Sequence, residues 1–262
     1  MAEGDTLARI ASVLREVLVG REVSGARARP GRADLRRIVG RRVESVEARG
    51  KHLLIAFAGG LTLHTHLALH GSWHRYRPTE TWRRPASRAV AVIEVPSATC
   101  VCFDAPTVEL MDSRAVAVHP VLARLGSDVA AADFDVGAAL AALRTPDRAA
   151  VAIGDALLDQ RAVAGLGNVY RSELCFLERI SPFTPIGQLD DDALRRLLER
   201  SSRLVAANLR GGARVTTEPG TPGHLYVYGR TGRPCRRCGT PIRSATTGRH
   251  ARRVYWCPSC QP

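Results

Sequence analysis

The chain has 262 residues, 45% of them hydrophobic, and a formal net charge of +13 from 38 basic against 25 acidic side chains. That length and apolar content exclude a disordered protein and allow one large or two medium domains plus a small appendage. No apolar run reaches the roughly 18 residues of a membrane span, and the first twenty residues carry Glu3, Asp5 and Glu16, so neither a membrane partner nor a signal peptide is expected and the cytoplasm is the expected location.

The opening "MAEGDTLARI" sets Leu7, Ile10, Ala11, Leu14, Val17 and Leu18 at helical spacing. This predicts an amphipathic helix capped by Asp5 or Thr6 and ending near Gly20. Residues 23–110 read as β: "RVESVEA", "KHLLIAFA", "LTLHTHL", "AVAVIEV" and "TCVCFD" are short alternating or apolar runs separated by turn residues. Within them, "RGKHLL" holds Lys51, the single lysine among the 38 basic residues. Lysine offers a mobile ammonium that can lose its proton, which arginine cannot do. "HTHLALHGSWH" carries His64, His66, His70 and His74, with no carboxylate or cysteine at an obvious partnering distance; these histidines read as phosphate contacts or as packing.

From His119 the pattern turns helical in "HPVLARL", "VGAALAALR", "RAAVAIGDALLDQ", "NVYRSELCFLERI" and "DDALRRLLERSSRLVAANLR". "LLDQRAVAGLGNVYRSE" joins two of these helices through Gly165 and Gly167, with Asn168 placed to cap the second. It is either an ordinary helical hairpin or a helix start whose free N–H groups bind phosphate. "RGGARVTTEPGTPGH" then reads as a long loop.

Cys235, Cys238, Cys257 and Cys260 form two C-x-x-C pairs separated by eighteen residues. A hairpin over "PIRSATTGRHARRVYW", turning at Thr246–Arg249, would bring both pairs to one closed tetrahedral site, which predicts one structural Zn2+. Disulfides or a redox pair are the alternatives, and a cytosolic location disfavours the former. Arg249, His250, Arg252 and Arg253 fall on that hairpin, where they form either a phosphate-facing row or a solvated strand. Cys100, Cys102 and Cys175 lie in apolar runs and are expected in the core. The surplus of cations implies a polyanionic partner, first of all nucleic acid, although a nonspecifically basic protein such as a ribosomal component shares the composition.

The ordered set "AEGDT", "GKHLL", "HTHLALHGSW", "DQRAVAGLGNVYRSE" and "CRRCG…YWCPSCQ" resembles the formamidopyrimidine-DNA glycosylase and endonuclease VIII family over nearly the whole chain, closer to the endonuclease VIII branch. The resemblance implies an α+β fold, with an N-terminal helix on an antiparallel β-sandwich (1–116), a helix-two-turn-helix domain (117–222) and a zinc finger (223–262). It implies a monomeric, nucleoid-associated DNA repair enzyme that flips a damaged base out of the duplex, excises it and cuts the strand. Its partner would be double-stranded DNA with oxidised bases, pyrimidines first, or abasic sites. By position, Glu3 matches the family's acid/base and Lys51 the lysine at the lesion phosphate. His66, Asn168 and Arg252 match the other phosphate contacts, and Leu69 matches the wedge that fills the vacated space.

In this family the nucleophile is the N-terminal amine exposed by removal of the first methionine, and the usual residue there is proline. This chain has Ala2, and it has Thr6 where many relatives carry a glutamate. A primary α-amine is partly neutral at physiological pH and can attack a sugar carbon. Two further readings stand beside this one: a catalytically weak binder of damaged or abasic DNA, and a zinc-ribbon nucleic-acid adaptor.

Overall fold

A computed structural model describes residues 2–248 and 251–262, so Arg249 and His250 of the expected cationic row lie outside the described residues. The chain divides into two compact units, Met1–Arg124 and Leu125–Pro262. No helix among the described residues is long and apolar enough to cross a membrane.

The first unit opens with helix α1 (Gly4–Leu18), which buries Leu7, Ala11, Leu14 and Leu18 along one face. Strands β1 (Gly25–Ala28), β2 (Val43–Arg49), β3 (His52–Phe57), β4 (Leu61–His66), β5 (Ser72–Tyr76), β6 (Ala89–Val95), β7 (Ala98–Phe103) and β8 (Thr107–Asp112) follow. They form two four-stranded antiparallel sheets, ordered β2-β3-β4-β8 and β1-β6-β7-β5. Leu53, Ile55 and Leu63 of the first sheet share one core with Val90, Ile93, Cys100 and Cys102 of the second and with α1. This is the expected sandwich with the helix packed on it. The run "AVAVIEV" is apolar except for Glu94, which pairs with Arg27, because β6 is covered on both faces: Val92 joins Tyr76, Val101, Phe103 and Trp82 in a second, outer cluster.

The unit closes with the short helix α2 (Ser113–Ala117), which Asp112 caps by accepting from Ala115 N–H at 2.8 Å. "HPVLARL" forms only a 3-10 turn at Leu122–Arg124.

The second unit contains β9 (Ser127–Asp128), α3 (Val136–Leu143), α4 (Ile153–Ala156), β10 (Val163–Ala164), α5 (Asn168–Leu177) and α6 (Asp191–Ala207). Leu140, Ile153, Leu157, Leu174, Leu194 and Leu198 meet in its core. "RAAVAIGDALLDQ" does not make one helix. After a 3-10 turn at Pro146–Arg148 it forms only α4, because the Asp159 carboxylate accepts from Arg161 N–H at 3.0 Å and turns the chain. The apolar spacing reported burial correctly there and helix length incorrectly.

The Gly, Thr and Pro-rich loop after α6 has no regular structure but is tied at both ends. Asn208 accepts from Val215 N–H at 2.7 Å. The buried Glu173 carboxylate accepts from the Thr216 hydroxyl and from the backbone N–H groups of Tyr226, Val227 and Tyr228, each at 2.8 Å. Strands β11 (Arg243–Thr247) and β12 (Arg252–Trp256) then form an antiparallel hairpin. It sits on a small core of Phe176, Tyr226, Val227, Ile242 and Cys257. Cys100, Cys102 and Cys175 are buried, as their apolar surroundings predict.

Candidate active site and nucleic-acid interface

In the first unit the N-terminus of α1 carries the candidate chemistry. Neither Asp5 nor Thr6 is the cap. The extended Glu3 takes that position, and its carbonyl accepts from Thr6 N–H at 2.9 Å and Leu7 N–H at 3.1 Å while its side chain makes no capping bond. Asp5 is instead fully buried inside the first turn, where the Thr6 hydroxyl donates to it at 3.2 Å and Arg9 lies 3.8 Å away. Ala2 is half-buried against the core, immediately before fifteen residues of helix. The positive end of that helix would disfavour a cation placed at residue 2. Glu3, with no exposed surface, adjoins it in sequence.

Lys51 occupies the turn between β2 and β3, after Gly50 at φ +57°. In the β3/β4 register His52 stands opposite His66, which brings Lys51 near His66 at one end of the sheet. Burial, and after it the Lys51 charge, lowers the His66 pKa. Beyond His66 the chain makes a tight turn. Ala68 is held at φ +50°, and a Cβ on Gly71 would lie 2.4 Å from the Leu67 carbonyl oxygen, so only glycine closes the turn. Leu69 is held out on it with 48% of its surface exposed.

The sequence reading found no carboxylate near the histidines, and this is corrected by β8. His64 Nδ1 lies 2.8 Å from Glu109, and His119 Nε2 lies 3.4 Å from the same oxygen. The three side chains are close enough to hold a metal ion, but the hydrogen bonding assigns them otherwise. His119 Nδ1 accepts from Val121 and Leu122 N–H at 3.2 and 3.1 Å, so its proton is on Nε2 and points at Glu109. His64 donates from Nδ1 to Glu109 and accepts at Nε2 from His52 Nδ1 at 2.8 Å. His52 then packs against His66, the rings tilted by 33° with centroids 4.9 Å apart. A line of neutral imidazoles thus runs from Glu109 to His66.

Burial, followed by the nearby His66, His64, His119 and Lys51, pushes the His52 pKa down to about 3 from an ordinary 6.5. The unfolded chain therefore protonates this group first as pH falls. Its contribution is complete above pH 6.5 and is lost at up to about 1.4 kcal/mol per pH unit below that value. Urea unfolding at pH 7 and pH 5, a window above the carboxylate range, should show stability falling by about 2 kcal/mol. His52→Gln should make the fall shallower, the remainder coming from His64, His66 and His74, whose pKa values burial also lowers, and an equally steep slope in that variant would locate the effect elsewhere.

In the second unit, Asn168 is the first residue of α5 and not its cap, a place taken by the extended Gly167. The Asn168 side chain crosses to the hairpin instead and donates from Nδ2 to the Arg253 carbonyl at 2.8 Å. Arg252 lines a cavity of about 580 Å3 together with Asp155, Gln160, Arg161, Thr247 and Gly248. Asp159 in that cavity is neutralised by Arg148 and Arg161, whereas the Arg252 guanidinium has no ion-pair partner among the described residues. Such a cation can meet a phosphate without first breaking a salt bridge.

The four cysteines converge as their spacing predicts, with all Sγ atoms within 4.8 Å of one another. Cys238 and Cys257 are 3.4 Å apart and Cys235 and Cys260 4.0 Å. Four thiolates at about 2.3 Å from one zinc ion would stand roughly 3.8 Å apart, so the set fits a tetrahedral ion with little movement.

Residues 1–116 match the family model described as the formamidopyrimidine-DNA glycosylase N-terminal domain, and residues 125–219 match that of its H2TH domain. A "Probable endonuclease 8 2" of Streptomyces coelicolor is 41% identical, covering 100% of this chain and 94% of its own length. A "DNA-(apurinic or apyrimidinic site) lyase Nei2" of Mycolicibacterium smegmatis is 38% identical over 100% and 99%. Among solved structures, that of MutM in complex with carbocyclic 8-oxo-G containing DNA matches with a TM-score of 0.83 at 22% identity, covering 99% of both chains, which is a likeness of fold.

Proposed function

Since the chain belongs to the formamidopyrimidine-DNA glycosylase and endonuclease VIII family, we propose that it performs the family's chemistry from the α-amine of Ala2, on oxidised pyrimidines and abasic sites in double-stranded DNA. It is a DNA glycosylase and abasic-site lyase of base excision repair. The observation that carries the assignment of Ala2 is its place at the start of α1 beside the buried Glu3.

The amine lone pair attacks C1′ and the glycosidic electrons leave with the base. Glu3 delivers a proton to the ring oxygen as the sugar opens to the Schiff base. The protonated imine then acts as an electron sink for loss of the C2′ proton and departure of the 3′ phosphate, so the strand is cut by this β-elimination or by β,δ-elimination, in which a second step also releases the 5′ phosphate. Lys51, His66, Asn168 and Arg252 contact phosphates of the DNA backbone. Leu69 enters the stack where the nucleotide has left. One Zn2+ on Cys235, Cys238, Cys257 and Cys260 supplies no reaction step and fixes the hairpin that carries Arg252. The enzyme acts as a monomer in the cytoplasm on nucleoid DNA.

Glu3→Gln separates the steps. An abasic sugar already equilibrates with its open aldehyde, so the proton from Glu3 matters most while a base is still attached. Excision of an oxidised pyrimidine should fall about 10^2- to 10^4-fold and cleavage of a preformed abasic site far less. Parallel duplexes carrying an oxidised pyrimidine, 8-oxoguanine or an abasic site test the reading, with the cut ends identified by mass. Faster release of the pyrimidine supports it; tight binding with every glycosidic bond intact would mean a lesion-binding protein.

A further inference from the structure

A fully buried arginine, Arg171 on α5, calls for an explanation, because a guanidinium is stable there only when well paired. Its Nη1 donates to Asp155 of α4 at 3.0 Å and to the Thr247 hydroxyl at 3.4 Å, and its Nη2 donates to the Arg252 carbonyl at 2.9 Å. Thr247 in turn donates its own proton to Asp155 at 3.0 Å. Thr247 and Arg252 are cross-strand partners in the β11/β12 register, so the network holds one by its side chain and the other by its backbone.

Two more residues on the same face of α5 reach β12: Asn168 donates to the Arg253 carbonyl, and Ser172 accepts from Tyr255 N–H at 3.4 Å. Gly248, which follows β11, is seated closely on the same carboxylate. It sits at φ +69°, and a Cβ there would lie 2.9 Å from Asp155 Oδ1. Asp155, Thr247, Gly248 and Arg252 all line one cavity.

We propose that Arg171, held by Asp155, is a positioning residue that aims the Arg252 side chain at a DNA phosphate. Apolar side chains of similar volume in place of both Arg171 and Asp155 could be neutral for stability, whereas Arg171→Met alone leaves the Asp155 carboxylate without its cation and costs stability. What an apolar side chain could not supply is the donor that fixes the Arg252 backbone. This rests on the reading of Arg252 as a phosphate contact, and the experiment separates the two.

Binding of a duplex carrying a non-cleavable abasic-site analogue is measured against salt for the wild type, Arg252→Ala, Arg171→Met and the double variant, each zinc-loaded with metal content and melting temperature recorded. Loss of one phosphate contact lowers the slope of log K against log salt by about 0.9. Arg252→Ala should show that loss with about a 10-fold fall in affinity, Arg171→Met should show the same, and the double variant should be no worse than Arg252→Ala. A folded, zinc-loaded Arg171→Met with the wild-type slope, or additive losses in the double variant, would overturn the proposal. Should Arg171→Met lose zinc or melt early, Asp155→Asn and Thr247→Val, which keep the arginine, are judged by the same slope. An unchanged slope in Arg252→Ala would instead refute the phosphate contact itself.

Discussion

Chain lacking Met1, incubated with abasic-site DNA and borohydride, should form a covalent adduct through Ala2, and chain whose α-amine is blocked should form none. A free α-amine titrates near pH 7.7–8.0, and the N-terminus of α1 would disfavour a cation placed at residue 2, so a useful fraction is nucleophilic at pH 7. Retained Met1 displaces the amine by one residue, and acetylation removes its lone pair. Either should reduce trapping and strand cleavage by about 10^3-fold or more, the scale on which enzymes lose activity with their nucleophile.

Ala2→Pro refines the test. Proline's secondary amine gives an iminium with no proton to lose, whereas the imine from alanine must stay protonated to accept electrons. The variant should therefore hold its activity to higher pH than the natural chain, and the two should converge as pH falls. No adduct from the Met1-free natural chain, with binding intact and trapping gained by Ala2→Pro, would mean that DNA binding is kept and the catalyst lost.

What could be read in advance depended on how local the determinants are. The cysteine pairs announced their site because two residues between thiols set the knuckle and a hairpin does the rest. The strands of the first unit were legible from alternation, and α1 and α6 from their apolar stripes. The capping residues were not, since Asp5 and Asn168 have the right side chains for caps and the fold turns both to other partners. Glu109 escaped notice because it meets His64 across 45 residues of chain, and only the β4/β8 register pairs them. Arg171 was invisible as well. In a chain so rich in arginine one more on a helix reads as solvated surface, and its burial follows only from where Asp155 and the hairpin arrive.

Removing the Zn2+ proposed for the four cysteines should weaken lesion binding while leaving the first unit folded. The hairpin has two short strands, which are marginal alone in water, and rests on a core of a few side chains, two of which are themselves cysteines. Structural zinc contributes folding free energy on the order of 10 kcal/mol in isolated finger peptides, far more than such a core supplies. Without the ion the strands lose their closure, Asn168 and Arg171 lose the carbonyls they hold, and Arg252 is no longer fixed. Chelation under reducing conditions, which prevents disulfides among thiols this close, should lower affinity for abasic-site DNA by about 10^2-fold, given the loss of at least one phosphate contact and of an ordered surface. Amide exchange over 243–256 should become fast, while the β3 and β4 amides, whose core contains none of the four cysteines, stay protected. Cys257→Ser should reproduce both effects. Unchanged affinity and protection in the metal-free chain would show that the hairpin stands on its hydrogen bonds to α5 alone, and the ion would then have no part in holding Arg252.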